Sequence, residues 1–277
     1  MKPLTKTRGF RQVTAEDFKI TDSNYGTSYP RYKCNICCFV QCDISLDVKK
    51  MYSVMIDEDY AQGENERALQ SDATVKLVTR ISGRSSGVWL DLGCASGILM
   101  ESAINHGFKT IGIEISDFLL GLAQAKGLEV YNDGVESDKW EENSFDVISI
   151  IDVIEHVDNP NEIISNCYRL LKSGGILVLA TPDNDSVSAR LLRSKWWHVR
   201  VAHIGYFNYN SLKMLLTTNA FHIVEKYRPA WYFQLSYIIH RISVYLPISK
   251  ILIKWAESNN FVVKVNLRDS LGVICEK

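Results

Sequence analysis

The chain has 277 residues, of which 46% are apolar and 23% charged, with 31 Lys+Arg against 32 Asp+Glu. That composition excludes a disordered chain, a collagen and a coiled coil. The near-balanced charge argues against a protein that coats nucleic acid through its overall charge, so no nucleic-acid partner is expected. Residues 1–30 are polar and mixed in charge, without the apolar stretch of a secretory signal, and no apolar run is long enough to span a bilayer. The seven cysteines are Cys34, Cys37, Cys38, Cys42, Cys94, Cys167 and Cys275. An odd number in a large chain of this kind reads as reduced thiols, which makes a cytoplasmic location the expectation.

In chain order, residues 1–60 read as an irregular extension with a cysteine cluster in its middle, and residues 61–277 as one domain. Residues 64–82 carry helical apolar spacing at Ala68, Val75 and Val78 and stop at Gly83. A regular alternation follows. Val88–Leu92 reads as a first buried strand and Ile98–His106 as a helix stopped by Gly107. Thr110–Ile115 is a second strand, Asp117–Lys126 a helix, Leu128–Tyr131 a third strand and Phe145–Ile151 a fourth. Asn161–Leu171 is a helix closed by Ser173-Gly174-Gly175, before a fifth strand at Ile176–Ala180. Continuous Val/Ile/Leu runs alternating with helices mean a parallel sheet covered on both faces, so an α/β, Rossmann-like doubly wound fold is predicted. Beyond it, Asn210–Asn219 reads as a helix, Phe221–Tyr227 as a strand and Leu271–Cys275 as a closing strand. Trp231–Trp255 reads as amphipathic helix broken at Pro247, within an amphipathic segment 231–258.

Charge is unevenly spread. Between Glu129 and Glu162 eleven acids face Lys139 alone, whereas between Lys226 and Arg268 seven bases face Glu257 alone. Two differently solvated faces would produce this, and so would an acidic rim beside a cationic ligand with a basic, aromatic face beside an anionic one.

Ligands of doubly wound sheets sit beyond the carboxyl ends of the strands. There the first strand turns through Asp91-Leu92-Gly93-Cys94-Ala95-Ser96-Gly97. Counted from Gly93, Ala95 and Ile98 stand where a dinucleotide fingerprint needs glycine, and Asp91 would repel a pyrophosphate. It suits an ammonium or sulfonium group instead. Glu114, at the end of the second strand, can accept both hydroxyls of a ribose. A ribose without a pyrophosphate, bearing a cationic appendage, describes S-adenosylmethionine.

These motifs resemble those of class I S-adenosylmethionine-dependent methyltransferases over about Ser86 to Tyr227. VWLDLGCASG is similar to the family's first motif, and TIGIEIS to its second-strand acid. FDVISIIDVIEHVDNP, LLKSGGILVLATPD and HIGYFNYNSLKMLLTTNAF resemble the later motifs of the subgroup that includes ubiquinone-pathway O-methyltransferases. The resemblance implies a seven-stranded sheet and S-adenosyl-L-methionine as cofactor. It also implies that Asp91, Gly93, Cys94, Ala95 and Gly97 line the methionine and ribose parts. Glu114 would hold the ribose, Ile115 would touch adenine, Asp133 and Gly134 would sit at the adenine edge, and Asp152 would lie beside the cofactor. Which of Asn132, Asp133 and Val135 makes the adenine contact stays open. Residues 185–220 correspond to the subgroup's acceptor-covering insertion.

Methyl transfer to a small-molecule or lipid-linked acceptor, favouring oxygen, is the expected function, and a hydroxyl acceptor calls for a general base. His156 and His203 are the candidates, set against purely structural histidines. Arg190, Arg193, Lys195, Trp196, Trp197, His198 and Arg200 suit an anionic substrate group, or a solvated helix with buried tryptophans. The 231–258 segment suits contact with a membrane surface, at most peripheral, or packing on the sheet. YKCNICCFVQCDISLD resembles half of an N-terminal zinc ribbon. One C-x-x-C supplies two of four ligands, so no metal site is assigned. A catalytically silent cofactor-binding scaffold and a nucleotide-dependent oxidoreductase or epimerase on a related sheet are the rival functions.

Overall fold

The structure, a computed structural model, describes residues 2–4, 13–21, 25–44, 46–243, 247–259 and 261–277. Its centre is a seven-stranded sheet. We number its strands β1 Gly87–Leu92, β2 Phe108–Ile113, β3 Val130–Tyr131, β4 Phe145–Ile151, β5 Leu171–Pro182, β6 His222–Tyr227 and β7 Ser270–Glu276. Their order across the sheet is β6-β7-β5-β4-β1-β2-β3. Strands β3, β2, β1, β4 and β5 run parallel, and β7 lies antiparallel to both β5 and β6. The chain reverses its winding between β1 and β4, which opens a crevice at their carboxyl ends.

Alternate side chains of each strand enter two different cores, as the two-residue period of a strand requires. Trp89, Val147, Ile176, Val178 and Ile274 pack with Val75 and Val78 of α1 (Glu64–Ser82) and with Leu99 and Ala103 of α2 (Ile98–Asn105). Leu90, Ile148, Ile150, Leu177, Leu179 and Val273 face the other way, against Ile164, Cys167 and Leu170 of α4 (Pro160–Leu170) and Leu212 and Leu216 of α5 (Tyr209–Thr218). Helix α3 (Asp117–Ala125) follows β2. Local signals set the ends. Asn159 caps the start of α4 with Pro160 at the first turn, Ser116 caps α3, and Gly83 closes α1 in the left-handed conformation.

The irregular extension predicted before residue 60 contains structure. Lys2–Pro3, Arg31–Lys33 and Val40–Cys42 form a small antiparallel sheet, whose last strand pairs with Gly205–Tyr206 from the segment after β5. The cysteine turn joins two of its strands. Phe18, Val40, Val48, Met55, Trp196, Val199, Ile204 and Tyr206 share one core, so the two sequence-distant segments form a single roof. Residues 5–12, 22–24 and 45 of the extension lie outside the described residues. The roofing stretch after β5 ends near Tyr206, because α5 turns its apolar side onto the sheet. Trp231 does not begin a helix: Trp231–Gln234 is a strand paired with Val262–Val265, and the helices Leu235–Ser243 and Lys250–Glu257 lie between them. Pro247 falls between these helices, beside residues 244–246, which are not described. Strand β5 also starts earlier than predicted, running through Gly174 and Gly175. No helix among the described residues is long and apolar enough to cross a membrane.

Ile148 is fully buried at the centre of β4. Ile148→Ala is expected to cost about 2–5 kcal/mol through lost transfer energy and a residual cavity, measurable by urea unfolding.

Candidate active site

The turn after β1 is shaped by backbone conformation. Gly93, Ala95 and Gly97 all have positive φ, at +67°, +48° and +79°. A Cβ on Gly93 would meet Val153 Cγ2 at 2.5 Å, and one on Gly97 would meet Leu128 Cδ1 at 2.1 Å. Gly97 therefore lets α2 start close against the loop after α3. Ala95 occupies a conformation that costs a residue with a side chain of order 1 kcal/mol or more. Its amide is held there by Glu114, which accepts from Ala95 N at 2.9 Å with one carboxylate oxygen and from Ser116 N at 2.8 Å with the other. The second-strand acid thus organises the glycine turn as well as facing the crevice.

Asp91 is 4% exposed and accepts a 2.6 Å hydrogen bond from Ser149 Oγ of β4, which itself accepts from Trp89 Nε1 at 2.8 Å. Burial pushes the Asp91 carboxyl up to about 7. The Ser149 hydroxyl opposes that rise, and the charge of Glu114 adds to it. Burial raises Glu114 as well, against the pull of its backbone donors. Two desolvated carboxylates on adjacent strands make a site that gains from a cation.

A cavity of about 1120 Å³ runs from this turn to the underside of the roof, larger than the roughly 300–1,000 Å³ of a typical single-ligand pocket. Of the residues predicted for the site, Asp91, Gly93, Cys94, Ala95, Glu114, Ile115, Asp133, Gly134, Asp152, His156 and His203 line it. Gly97 stands behind the turn rather than on the wall. Asp133 and Val135 also line the cavity, while Asn132 donates to Asp117 at 2.8 Å on the outside. Several members of the acidic stretch, Asp133, Glu136, Asp152, Asp158 and Glu162 among them, line the cavity.

The deeper wall is built from the loop after β4 and from the roof. Asp152 has a positive φ of +52° and opens onto the cavity. The surrounding walls and then the charge of Asp269 push its carboxyl up to about 7. Glu155 is 2% exposed; it accepts from Thr181 Oγ1 at 2.9 Å with Oε2, and burial and then Asp152 hold its carboxyl well above the usual range. His156 Nδ1 lies 2.8 Å from the Ala202 carbonyl and 2.6 Å from Tyr52 Oη. A carbonyl only accepts, so Nδ1 carries the hydrogen and Nε2 keeps its lone pair. Burial brings His156 down to about 4, so it is neutral near pH 7. His203 is likewise held neutral by burial and by its histidine neighbours. Glu155 Oε1 and His203 Nδ1 have no hydrogen-bond partner among the described residues. Glu155, His156 and His203 together offer ligand atoms within 4.8 Å of one another.

The basic-aromatic stretch divides: Trp197, His198 and Arg200 line the cavity, while Arg190, Arg193 and Lys195 do not. Arg190 pairs with Asp185 at 2.8 Å, and Arg193 and Lys195 are exposed. Arg200 donates to the carbonyls of Lys19 and Ile20, tying the roof to the N-terminal segment. These carbonyls take Nη1 and Nη2, while Nε is buried without a hydrogen-bond partner among the described residues. Arg67 of α1 is the functional candidate that sequence reasoning missed. It lines the cavity, lies 3.8 Å over the Tyr60 ring, and has buried Nε and Nη2 atoms without a partner among the described residues. Its only sequence signal is a cation on the inner side of a helix that enters the site.

This crevice, its acid-rich glycine turn and the strand order define the class I S-adenosylmethionine-dependent methyltransferase architecture. A family model described as a methyltransferase domain matches residues 63–226, and the chain belongs to that family. It is similar to the ubiquinone biosynthesis O-methyltransferase of Methylococcus capsulatus, at 33% identity over 43% of this chain and 51% of the relative. To the protein of the same name from Nitrosomonas europaea it is 36% identical, over 39% and 49%. The alignments thus span about half the length of these curated relatives. A solved S-adenosylmethionine-dependent methyltransferase from Archaeoglobus fulgidus shares the fold, with a TM-score of 0.57 and 18% identity over 80% of this chain and all of that one.

Removing the Ser149 hydroxyl with Ser149→Ala deletes a donor to the ionised form of Asp91. The midpoint of Asp91, read from carboxyl ¹³C shifts in a pH titration, is expected to move upward from about 7.

Proposed function

We propose that this protein transfers a methyl group from S-adenosylmethionine to a hydroxyl oxygen of a small, lipid-linked acceptor. The observation that carries this reading is that one cavity is lined by Asp91, Glu114, Arg67 with two guanidinium nitrogens unpaired among the described residues, and the neutral His156. The name of the relatives supports oxygen as the acceptor atom and a lipid-linked acceptor.

The residues present fit the cofactor. Arg67 is a half-buried cation whose Nε and Nη2 have no hydrogen-bond partner among the described residues, and it suits the ligand's carboxylate. Asp91 suits its ammonium. Glu114 still has accepting lone pairs after its two backbone bonds, and these suit ribose hydroxyls. Asp133, Val135 and Ile115 form the wall for the base. When bound, the cofactor supplies an already activated sulfonium methyl. The chain's own contribution is alignment, exclusion of water and removal of one proton. His156 Nε2 accepts the acceptor's hydroxyl proton, and the Ala202 carbonyl, bonded to Nδ1–H, orients the ring and favours its charged form. Tyr52 beside Nδ1 steadies the same orientation.

A second reading of the deep wall is favoured by the unpartnered Glu155 Oε1 and His203 Nδ1 beside His156. A divalent cation held by Glu155, His156 and His203 would acidify an acceptor hydroxyl in place of a proton-accepting histidine. Chelator treatment separates the two. Turnover lost on chelation and restored by added metal, with cofactor affinity unchanged, selects the cation; indifference to chelators selects the base.

Calorimetry with two ligands tests the cofactor site. Asp91→Asn and Arg67→Met should each weaken S-adenosylmethionine by roughly 10- to 100-fold, as lost charge-assisted hydrogen bonds. Both should leave 5′-methylthioadenosine, which lacks the amino-acid part, unaffected, whereas Glu114→Gln should weaken both ligands. Undiminished binding in all three variants, or no binding by the parent protein, would end the assignment.

The pH dependence has a definite sign. Protonating Asp91 competes with binding a cation, so affinity should fall as pH falls through about 7. From about pH 7 to about pH 5.5 the ligand's ammonium, with a pKa of about 7.7–8.0, stays charged. Affinity should drop by roughly tenfold in that window, with net proton release on binding that grows toward its lower end. A flat profile would show that Asp91 does not meet the ammonium.

A further inference from the structure

The segment between β6 and β7 leaves a face that the methyl-transfer reading does not use. Helix Lys250–Glu257 places Ile251 and Trp255 four residues apart, hence on one side, and they are 82% and 49% exposed. In the next row Ala256 is buried, while Leu252, a turn earlier, is exposed and extends the apolar side. On the other flank Lys250 and Lys254, also four apart, form an exposed row beside the apolar one. Phe261, just past this helix, is exposed and adds its ring 6.2 Å from that of Trp255; Val262 next to it is exposed too. In the first helix, Ile239 is buried and Ile242 exposed, so this unit is closed by its inner residues and does not need the outer ones.

From this arrangement we infer that the helical hairpin between Trp231 and Val265 is a docking element for an anionic lipid surface. Ile251, Trp255 and Phe261 would enter the interface, with Lys250, Lys254 and Lys264 at the level of the headgroups. Charge argues for this occupant over a second copy of the chain. Between Trp231 and Arg268 the sequence has five bases and Glu257 alone, and Glu257 faces His240 at 2.9 Å. A self-complementary contact through this face would set like charges against each other, whereas an anionic bilayer complements them. An apolar row flanked by lysines is the pattern of an interfacial helix. The same unit also reaches the cavity: Tyr232, Phe233 and Tyr237 line it. A docked hairpin would therefore bring the cavity wall beside the bilayer, a placement that rests on the proposed lipid-linked acceptor, although the docking itself does not.

Co-sedimentation of the full chain, without cofactor, with vesicles of phosphatidylcholine alone or mixed with phosphatidylglycerol tests the inference. Binding should require the anionic lipid and weaken with salt. Lys250→Gln and Lys254→Gln should each reduce it about fivefold, and Ile251→Ser with Trp255→Ser should abolish it. None of these residues lines the cavity, so S-adenosylmethionine affinity, measured in parallel, should be unchanged; that also shows the variants are folded. No sedimentation with anionic vesicles would overturn the inference, as would equal binding by the Ile251/Trp255 variant. A dimer in light scattering that this variant dissociates would also overturn it, assigning the face to a second copy. Because cofactor affinity is scored separately, loss of vesicle binding and failure of the methyl-transfer reading give different results.

Discussion

Two carboxylates at the ends of neighbouring strands, both taken out of water, organise this molecule's site. Glu114 uses its oxygens to hold the amides of Ala95 and Ser116, and so fixes the strained turn after β1 and the start of α3 together. Asp91, one strand over, is steadied by a hydroxyl from β4. Desolvated anions are costly unless something offsets their charge. Within the described protein, donors to Asp91 and Glu114 are hydroxyl and amide groups, so a cationic ligand has an electrostatic reason to settle there. The same charge disfavours a pyrophosphate, which separates this crevice from a dinucleotide site built on the same strand order.

The opposite wall follows a different logic. Glu155, His156 and His203 come from the β4 loop and the roof, and burial drives all three toward their neutral forms. A neutral imidazole whose Nδ1–H is spent on a carbonyl has one remaining function, a lone pair on Nε2. The cavity therefore joins the paired carboxylates of Asp91 and Glu114 to a group of side chains that burial holds neutral. The roof makes this arrangement possible. It is assembled from residues near the start of the chain and residues after β5, and Arg200 locks the two together through backbone carbonyls.

Much of this was legible in the sequence because its causes are local. A buried parallel strand must be a continuous apolar run, which made β1, β2, β4 and β5 visible. The glycines at 93 and 97 announced a turn, and an acid before that turn with another after the next strand announced the ligand's charge. Arg67 was not legible: on a helix, a lone arginine looks like any solvated cation until the cavity wall is seen to pass in front of it. The basic-aromatic stretch was legible only in part, since Trp197, His198 and Arg200 reach the cavity and the rest does not. Arg200 has the composition of an anion grip, yet its partners are backbone carbonyls nearly two hundred residues away in the chain, and these leave no trace in side-chain identity.

By itself, then, the sequence determined the doubly wound sheet, the crevice at the β1 and β4 ends and the cationic character of its ligand, since all three depend on periodicities and spacings within a few tens of residues. Tertiary structure alone decided the small sheet that joins Val40–Cys42 to Gly205–Tyr206, the strand pair Trp231–Gln234 with Val262–Val265, and the meeting of Glu155, His156 and His203. The physical reason is the same in each case. A strand of two to four residues, or a side chain aimed across a cavity, is stabilised by partners that chain folding brings close, and neighbouring residues carry no signal of them.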